Sequence, residues 1–514
     1  MKTILKHCKT YLMLLLALPL FSCIACSDND KEEDITPEIT IPENILNAGI
    51  TFQSTGSTQK FSIQSTMPVE ATSSDPTWCA VSVGTASAAL MVTPIEVTAQ
   101  PNTETKDRSA TITITGGGLS KEVKVLQTAA PGGIEGGDAW AVAKTLGLGW
   151  NLGNQLDAYA NEVANETSWG NQKTTQALFD KLAAAGITSV RIPVTWMGHI
   201  GAEPAYEIEK AWMDRVAEVV GYAENAGLKA IINLHHDGAD SAHWLDIKNA
   251  ATDANVNTKV KAQLKAMWTQ IAERFKDKGT FLIFESMNEI HDGGWGWGDN
   301  LNDGDKQYAV LNEWNQVFVD AVRAVGGAND NRYLGIPSYC TNPDYAVDGS
   351  LKLPADKASN RLMVSVHYYA PTDYTLEAKF SEWGHTAAAG KKDSWGDEDY
   401  VKDIFGKLKT TFVDKGIPVY IGEMGCVHRA DARAESFRKY YLEYICKAAK
   451  TYGLIPFYWD NGSDGAGRET SGLFNHATGA YLNNGADIVA LMAKAIFTED
   501  ASYTLQTVYD GAPK

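Results

Sequence analysis

Phe281-Leu282-Ile283-Phe284-Glu285-Ser286-Met287-Asn288-Glu289 is a short apolar run that ends in a carboxylate, and Pro418-Val419-Tyr420-Ile421-Gly422-Glu423-Met424-Gly425 is a second. Continuous apolar runs of this length read as strands buried on both faces, the pattern of parallel sheets. Similar runs recur, so that strands are expected at 146–152, 189–194, 229–234, 281–286, 333–337, 363–367, 418–422 and 455–459. Between several lie amphipathic segments, such as 174–185 with Leu178 and Leu182, and 212–226 with Val216, Val219 and Val220. Strands alternating with helices over about 360 residues predict an α/β fold, a (β/α)8 TIM barrel, rather than an open doubly wound sheet. No Gly-x-Gly-x-x-Gly turn follows the first strand, which removes the main argument for a dinucleotide fold.

Working outward from the barrel, Ala129-Ala130-Pro131-Gly132-Gly133-Ile134-Glu135-Gly136-Gly137 is a Gly/Pro linker with no apolar period. Residues 41–128 carry alternating runs such as Lys60-Phe61-Ser62-Ile63-Gln64 and Ala110-Thr111-Ile112-Thr113-Ile114-Thr115. They predict a small antiparallel all-β sandwich, Ig-like in architecture. Residues 26–40 are polar and acidic and read as a tether. Residues 1–25 are an address: Lys2, Lys6 and Lys9 precede an apolar stretch from 11 to 21, too short for a resident spanning helix. The barrel domain then occupies 138–514.

A net charge of −18 over 514 residues argues against nucleic acid and anionic membranes, because no basic surface is available to neutralise phosphates. A neutral polymer such as a polysaccharide meets no repulsion. Beyond the signal, Cys79, Cys340, Cys426 and Cys446 contain no Cys-x-x-Cys pair, so a structural zinc site is not expected. Their pairing is open.

Nearly every expected strand delivers polar or aromatic residues at its C-terminal end, the face where such barrels keep their chemistry. In order they are Trp150-Asn151-Leu152-Gly153-Asn154, Arg191, Asn233-Leu234-His235-His236-Asp237, Asn288-Glu289, His367-Tyr368-Tyr369, Glu423 and Trp459-Asp460-Asn461. One such residue alone reads as a satisfied core group; seven strand ends together argue for a site. Two carboxylates from different strands are what cleavage of a glycosidic bond needs. Glu285, four residues before Glu289, reads as a structural hydrogen-bond partner. His235-His236-Asp237 invites a metal reading, but adjacent strand residues point to opposite faces and no metal is needed for this chemistry.

This set closely resembles glycoside hydrolase family 5, within the clan of (β/α)8 retaining glycosidases, over roughly residues 138–500. The matching residues are Arg191, His235, Asn288, Glu289, His367, Tyr369, Glu423 and Trp459. The stretch from Gly149 to Asn154, and Trp169-Gly170-Asn171, look like variants common among its endo-β-1,4-glucanases and xyloglucanases. The resemblance implies Glu289 as acid/base and Glu423 as nucleophile, about 5–5.5 Å apart, with Glu289 held protonated by its charged neighbour. It implies that Arg191 and Tyr369 orient Glu423, that Asn288 contacts the sugar 2-hydroxyl, and that His235, His236 and His367 hold hydroxyls and carboxylates. Trp459 would stack beneath the sugar, with Asn154 and Trp169 as further substrate contacts and no cofactor or metal. Ile290-His291-Asp292-Gly293-Gly294 departs from the family, where Pro and a basic residue are frequent, and leaves positive-subsite specificity open. Trp295 and Trp297 that follow are expected as a stacking platform for leaving-group sugars, the alternative being a turn packed on the rim.

Two further resemblances lie upstream. Trp78-Cys79-Ala80-Val81, Arg108 to Ile112 and Val125-Leu126-Gln127 resemble the BACON domain, read here as a spacer because no aromatic row is visible. Ser22-Cys23-Ile24-Ala25-Cys26, followed by an acidic run, resembles a Bacteroidetes lipoprotein signal. It implies lipidation at Cys26, or at Cys23, and an outer-membrane, cell-surface location; a cleaved signal without lipid would give a secreted or periplasmic protein. The expectation is a monomeric, surface-tethered retaining endo-β-1,4-glucanase acting on cellulose-like chains, mixed-linkage glucan or xyloglucan. A xyloglucanase, a mannanase, an inactive glycan-capturing lipoprotein and a metal-dependent barrel hydrolase are the competing readings.

Overall fold

The computed structural model describes residues 36–54, 56–87, 92–102, 104, 106–129, 138–238, 243–293 and 306–514. The signal with Cys23 and Cys26, most of the tether, nearly all of the linker, and Trp295 and Trp297 lie outside the described residues.

Two four-stranded sheets build the N-terminal sandwich. One pairs Ile39–Thr40, Ser57–Ser65, Val92–Ala99 and Cys79–Val83; the other pairs Ile50–Phe52, Leu119–Gln127, Arg108–Gly116 and Glu70–Ser73. Strand alternation puts Ile63, Ile95, Val97, Ile112, Ile114, Val123 and Val125 into one core. The sandwich is not wholly antiparallel as expected, since Ile50–Phe52 runs parallel to Leu119–Gln127. Parallel pairing needs a long connection, and here nearly the whole domain supplies it. Among the described residues its exposed large apolar side chains are Leu46, Met67, Leu119 and Leu126, none aromatic.

The eight expected parallel strands close into a barrel: Gly149–Leu152, Ser189–Ile192, Lys229–Ile232, Leu282–Glu285, Leu334–Pro337, Leu362–Tyr368, Val419–Met424 and Leu454–Asp460. The first starts later than expected. Its predicted opening residues belong instead to the helix Ala139–Leu146 and to the turn at Gly147, which has φ 59. Val142 and Leu146 of this helix pack with Ile231, Ile283, Tyr333, Met363, Tyr420, Ile455 and Phe457. That apolar layer stoppers the N-terminal end of the barrel.

Because side chains alternate along a strand, the inward residues two positions on form the next layer. Ile231 is followed by Asn233 and His235, Ile283 by Glu285, Met363 by Ser365 and His367, and Phe457 by Trp459. The middle layer is thus polar, and Arg191, Asn151, Asn233, Glu285 and Ser365 in it are wholly buried. Each is hydrogen-bonded. The third layer opens at the mouth.

Candidate active site

The strand-end residues meet at that mouth. Glu423 gets there by an irregularity. Simple alternation would turn Gly422 inward with Tyr420 and send Glu423 outward with Ile421. The pairing instead slips between Val366 and His367, so that His367 lies opposite Glu423 and Gly422 has no partner. This bulge re-aims the carboxylate into the barrel. A Cβ on Gly422 would lie 3.1 Å from His367 Nε2 and 3.2 Å from its Cδ2, so glycine is what lets the imidazole lie against the bulge.

Arg191 organises the centre. Its Nη1 donates to Glu423 Oε1 (2.8 Å), its Nη2 to Asn288 Oδ1 (2.7 Å) and its Nε to Glu285 Oε2 (2.8 Å). Tyr369 donates its hydroxyl to Glu423 Oε2 at 3.1 Å. His367 Nδ1 lies 2.7 Å from Glu289 Oε1 and 3.7 Å from Glu423 Oε2. One carboxylate oxygen of Glu289, one of Glu423 and an imidazole nitrogen of His367 all fall within 4.8 Å of one another. That spacing is near the ~5–5.5 Å of carboxyl pairs that act by covalent displacement, and short of the ~6.5–9.5 Å that holds an attacking water between them.

Burial dominates the protonation of this cluster. It pushes Glu289 up to about 7; Arg191 opposes it and Glu285 adds to it. The expected cause, the charge of the neighbouring Glu423, is therefore corrected: removal from water does most of it. Glu423 is also raised by burial, with His367 and Arg191 pulling the other way and Glu289 pushing with it. Burial brings His367 down to about 4, so its imidazole is neutral near pH 7. In Glu285 burial is outweighed by Arg191, His367, Ser365 and Tyr420, which together hold it below the ordinary value.

Trp459 lies parallel to His235, with ring centroids 5.8 Å apart and planes at 6°. Gly153 makes room for the indole, since a Cβ there would come within 2.7 Å of it. From His235 the rings continue to His236 (4.5 Å, edge-on), to Trp169 (5.4 Å) and to Tyr159 (5.8 Å from His236 and 5.4 Å from Trp169). Trp169 is 41% exposed at the outer end. The expectation that the paired histidines face opposite ways fails, because the strand ends at Ile232 and His236 lies in the turn beyond it.

Asp237 does not join the two histidines. Asp237 accepts from the Trp196 N–H and the Trp244 indole, and the carboxylate beside the histidines is that of Asp157. Asp157 and Tyr159 were missed by sequence reasoning. Asp157 takes the backbone N–H groups of Asn154 and Gln155, and burial lifts it to about 7. Tyr159 belongs to a two-residue-turn hairpin, Tyr159–Ala160 with Val163–Ala164, whose Asn161 and Glu162 turn lacks glycine and left no hairpin signal.

Of the remaining strand-end residues, Asn154 turns the chain at φ 54 and bonds through its backbone to Asp157 and Asn171, outside the carboxylate network. Trp150 and Asp460 bind each other beneath the surface, and Asn461 holds the backbone of Glu469. Glu285 is a hydrogen-bond partner as expected, accepting from four donors. Cys79, Cys340, Cys426 and Cys446 are all buried and unpaired with one another.

A closed parallel barrel with two carboxyls facing each other across its mouth, one arginine behind them and an aromatic wall beside them defines the class of barrel glycosidases. The cellulase family, glycosyl hydrolase family 5, matches residues 156–465, and the BACON family matches residues 69–128. The chain belongs to glycosyl hydrolase family 5 and is a glycoside hydrolase. It is 65% identical to a broad-specificity endoglucanase from Bacteroides salanitronis of solved structure, with TM-score 0.70, covering 71% of this chain and 97% of that one. Endoglucanase A from Paenibacillus barcinonensis is 39% identical over 63% of this chain and 82% of its own length. A xyloglucan-specific endo-β-1,4-glucanase from Bacteroides ovatus is 30% identical over 93% of this chain and 95% of its own.

Proposed function

We propose that the protein is an endo-acting β-1,4-glucanase of broad specificity, cutting mixed-linkage glucan, cellulose-like chains and xyloglucan by double displacement. The observation that carries this is the approach of Glu289 and Glu423 within 4.8 Å, with His367 between them. Glu289 is the acid/base: a carboxyl with proton affinity matched to pH 7 gives its proton to the leaving oxygen, then takes one from water. Glu423, fixed by Arg191 and Tyr369, is the nucleophile that forms the glycosyl-enzyme. Asn288, whose Oδ1 is occupied by Arg191, has its amide N–H groups to offer to the sugar 2-hydroxyl. Trp459 is the floor under the reacting sugar, and Trp169 stacks a sugar further along. The range of substrates rests on the names of the relatives.

Glu289→Ala and Glu423→Ala distinguish the roles. With a good leaving group and added azide, the first forms a β-glycosyl azide from the glycosyl-enzyme, and the second forms the α-anomer by direct attack. Activity left intact in either variant without azide would refute the assignment. A product profile on barley β-glucan, carboxymethylcellulose, xyloglucan and mannan sets the range; cleavage of mannan alone would displace glucan as the substrate.

We further propose that the protein is a monomeric lipoprotein of the outer cell surface, with Cys26 lipidated and the sandwich domain acting as a spacer. Palmitate labelling that is lost in Cys26→Ala supports this; label retained there and lost in Cys23→Ala moves the anchor to Cys23.

A further inference from the structure

Glu285 lies one layer below the mouth, wholly buried, on the same strand that leads to Glu289. Its Oε2 accepts from Arg191 Nε (2.8 Å) and Asn233 Nδ2 (2.9 Å), and its Oε1 from Ser365 Oγ (2.6 Å) and Tyr420 OH (2.8 Å). The Arg191 guanidinium is therefore held between two carboxylates, Glu285 beneath it and Glu423 above it. Two of these neighbours also touch the reacting layer: Arg191 bonds Glu423 and Asn288, and Asn233 Nδ2 lies 3.1 Å from His235 Nδ1.

We propose that Glu285 is a positioning residue that sets the working pH range of the Glu289–Glu423 pair by sharing the charge of Arg191. A guanidinium paired with Glu423 alone would stabilise that carboxylate fully, making it a weaker base and a weaker nucleophile. The second carboxylate draws part of that interaction away and keeps the guanidinium in the plane that reaches Asn288. The charged and titratable groups around Glu285 are Arg191, His367, Tyr420, Glu289 and Glu423. Among them, the negative charge of Glu285 raises both Glu289 and His367. Removing it lowers the proton affinity of Glu289 and His367 directly, and that of Glu423 through an Arg191 left to pair with it alone.

The substitution that removes the charge fits the site. In Glu285→Gln the amide oxygen keeps Arg191 and Asn233, while the NH2 faces Ser365 Oγ and Tyr420 OH, two hydroxyls that accept as readily as they donate. Tyr420→Phe acts in the opposite sense: it strips one donor from Oε1 and leaves more of the negative charge facing Arg191. This inference rests on the assignment of Glu289 and Glu423 as the reacting pair.

The test is the pH dependence of kcat/KM on a soluble mixed-linkage glucan for the full chain. In Glu285→Gln both limbs move to lower pH by roughly half a unit or more, since a unit charge within a buried cluster acts at low effective dielectric. Its kcat at pH 7 falls on the order of tenfold while KM stays within about twofold, the split expected for loss of transition-state stabilisation. In Tyr420→Phe the limbs move to higher pH. Glu285→Asp, which keeps the charge, holds the limbs in place even where kcat drops. Limbs that stay put in both Glu285→Gln and Tyr420→Phe, or that move the other way, reduce Glu285 to scaffolding and overturn the proposal. Should Glu285→Gln not fold, the Tyr420→Phe profile decides alone. Full hydrolysis by Glu289→Ala or Glu423→Ala would sink the parent assignment and this inference with it; dead variants with unmoved limbs sink only this one.

Discussion

His367 Nδ1 stands 2.7 Å from Glu289 Oε1, and the imidazole is neutral at pH 7 because burial holds it near 4. A neutral imidazole hydrogen-bonded to the Glu289 carboxyl fixes the acid's orientation without adding a charge. Replacement by Ala leaves Glu289 unoriented and opens space beside Glu423. His367→Ala is expected to lose roughly 10²-fold in kcat, within the usual range for disturbed general acid catalysis, with KM changed far less. Steady-state kinetics on a soluble glucan read this directly, and a loss confined to KM would contradict it.

The pH profile follows from the two carboxyls. Activity requires Glu289 protonated and Glu423 ionised, so it falls as pH rises through about 7, the value to which burial lifts Glu289. It also falls as pH drops through a limb above the ordinary carboxylate value, because Glu423 is raised as well. The limbs belong to the coupled pair. A substrate whose leaving group needs no proton should lose the alkaline limb of the first step, which pre-steady-state release of an activated phenol measures.

Stability carries the same sign. The folded protein favours protonated Glu289, which releases its proton near 4.5 when unfolded and near 7 when folded. The contribution is therefore fully present below 4.5 and is lost as pH climbs to 7, at up to about 1.4 kcal/mol per pH unit. Glu289→Gln, neutral throughout, should exceed the wild type in Tm at pH 8, by about 1–3 kcal/mol in stability, and match it near pH 4.5. Thermal unfolding at the two pH values checks this; a gap that widens toward acid would be the wrong sign.

Gly422→Ala probes the bulge. Its Cβ would lie 3.1 Å from His367 Nε2 and 3.3 Å from Ser365 Oγ, tighter than ordinary packing. Displacing His367 by a few tenths of an ångström should lower kcat by about tenfold and destabilise by about 1–3 kcal/mol. Chemical denaturation and kinetics on one preparation separate the two effects.

Trp169 sits at the far end of the ring wall, exposed and braced by Tyr159 and His236. Trp169→Ala should raise KM for long glucans several-fold and leave short activated glycosides unaffected, because stacking there is remote from the bond that breaks. Tyr159→Ala should give a weaker version of the same change. Equal loss on both substrate lengths would place Trp169 among the groups that support the fold.

Much of this was legible locally. Buried parallel strands announce themselves as apolar runs, and each of the eight runs proved to be a barrel strand. Residues that follow such runs must emerge at the same face, which is why Arg191, His235, Asn288, Glu289, His367, Tyr369, Glu423 and Trp459 could be gathered before any coordinates. Asp157 escaped because it lies in a loop and Tyr159 because its two-residue strand is too short for a periodic signal, and the His235-His236 pair was misread because alternation was carried past the end of the strand.

Apolar periodicity and strand order, which depend only on neighbours along the chain, determined the barrel and the roster of its mouth. Orientation and charge came from tertiary structure. Alternation would have aimed Glu423 away from the sugar, and only the slipped register against His367 turns it inward. Whether a glutamate holds a proton at pH 7 depends on how much water its neighbours exclude, and those neighbours come from strands up to hundreds of residues apart.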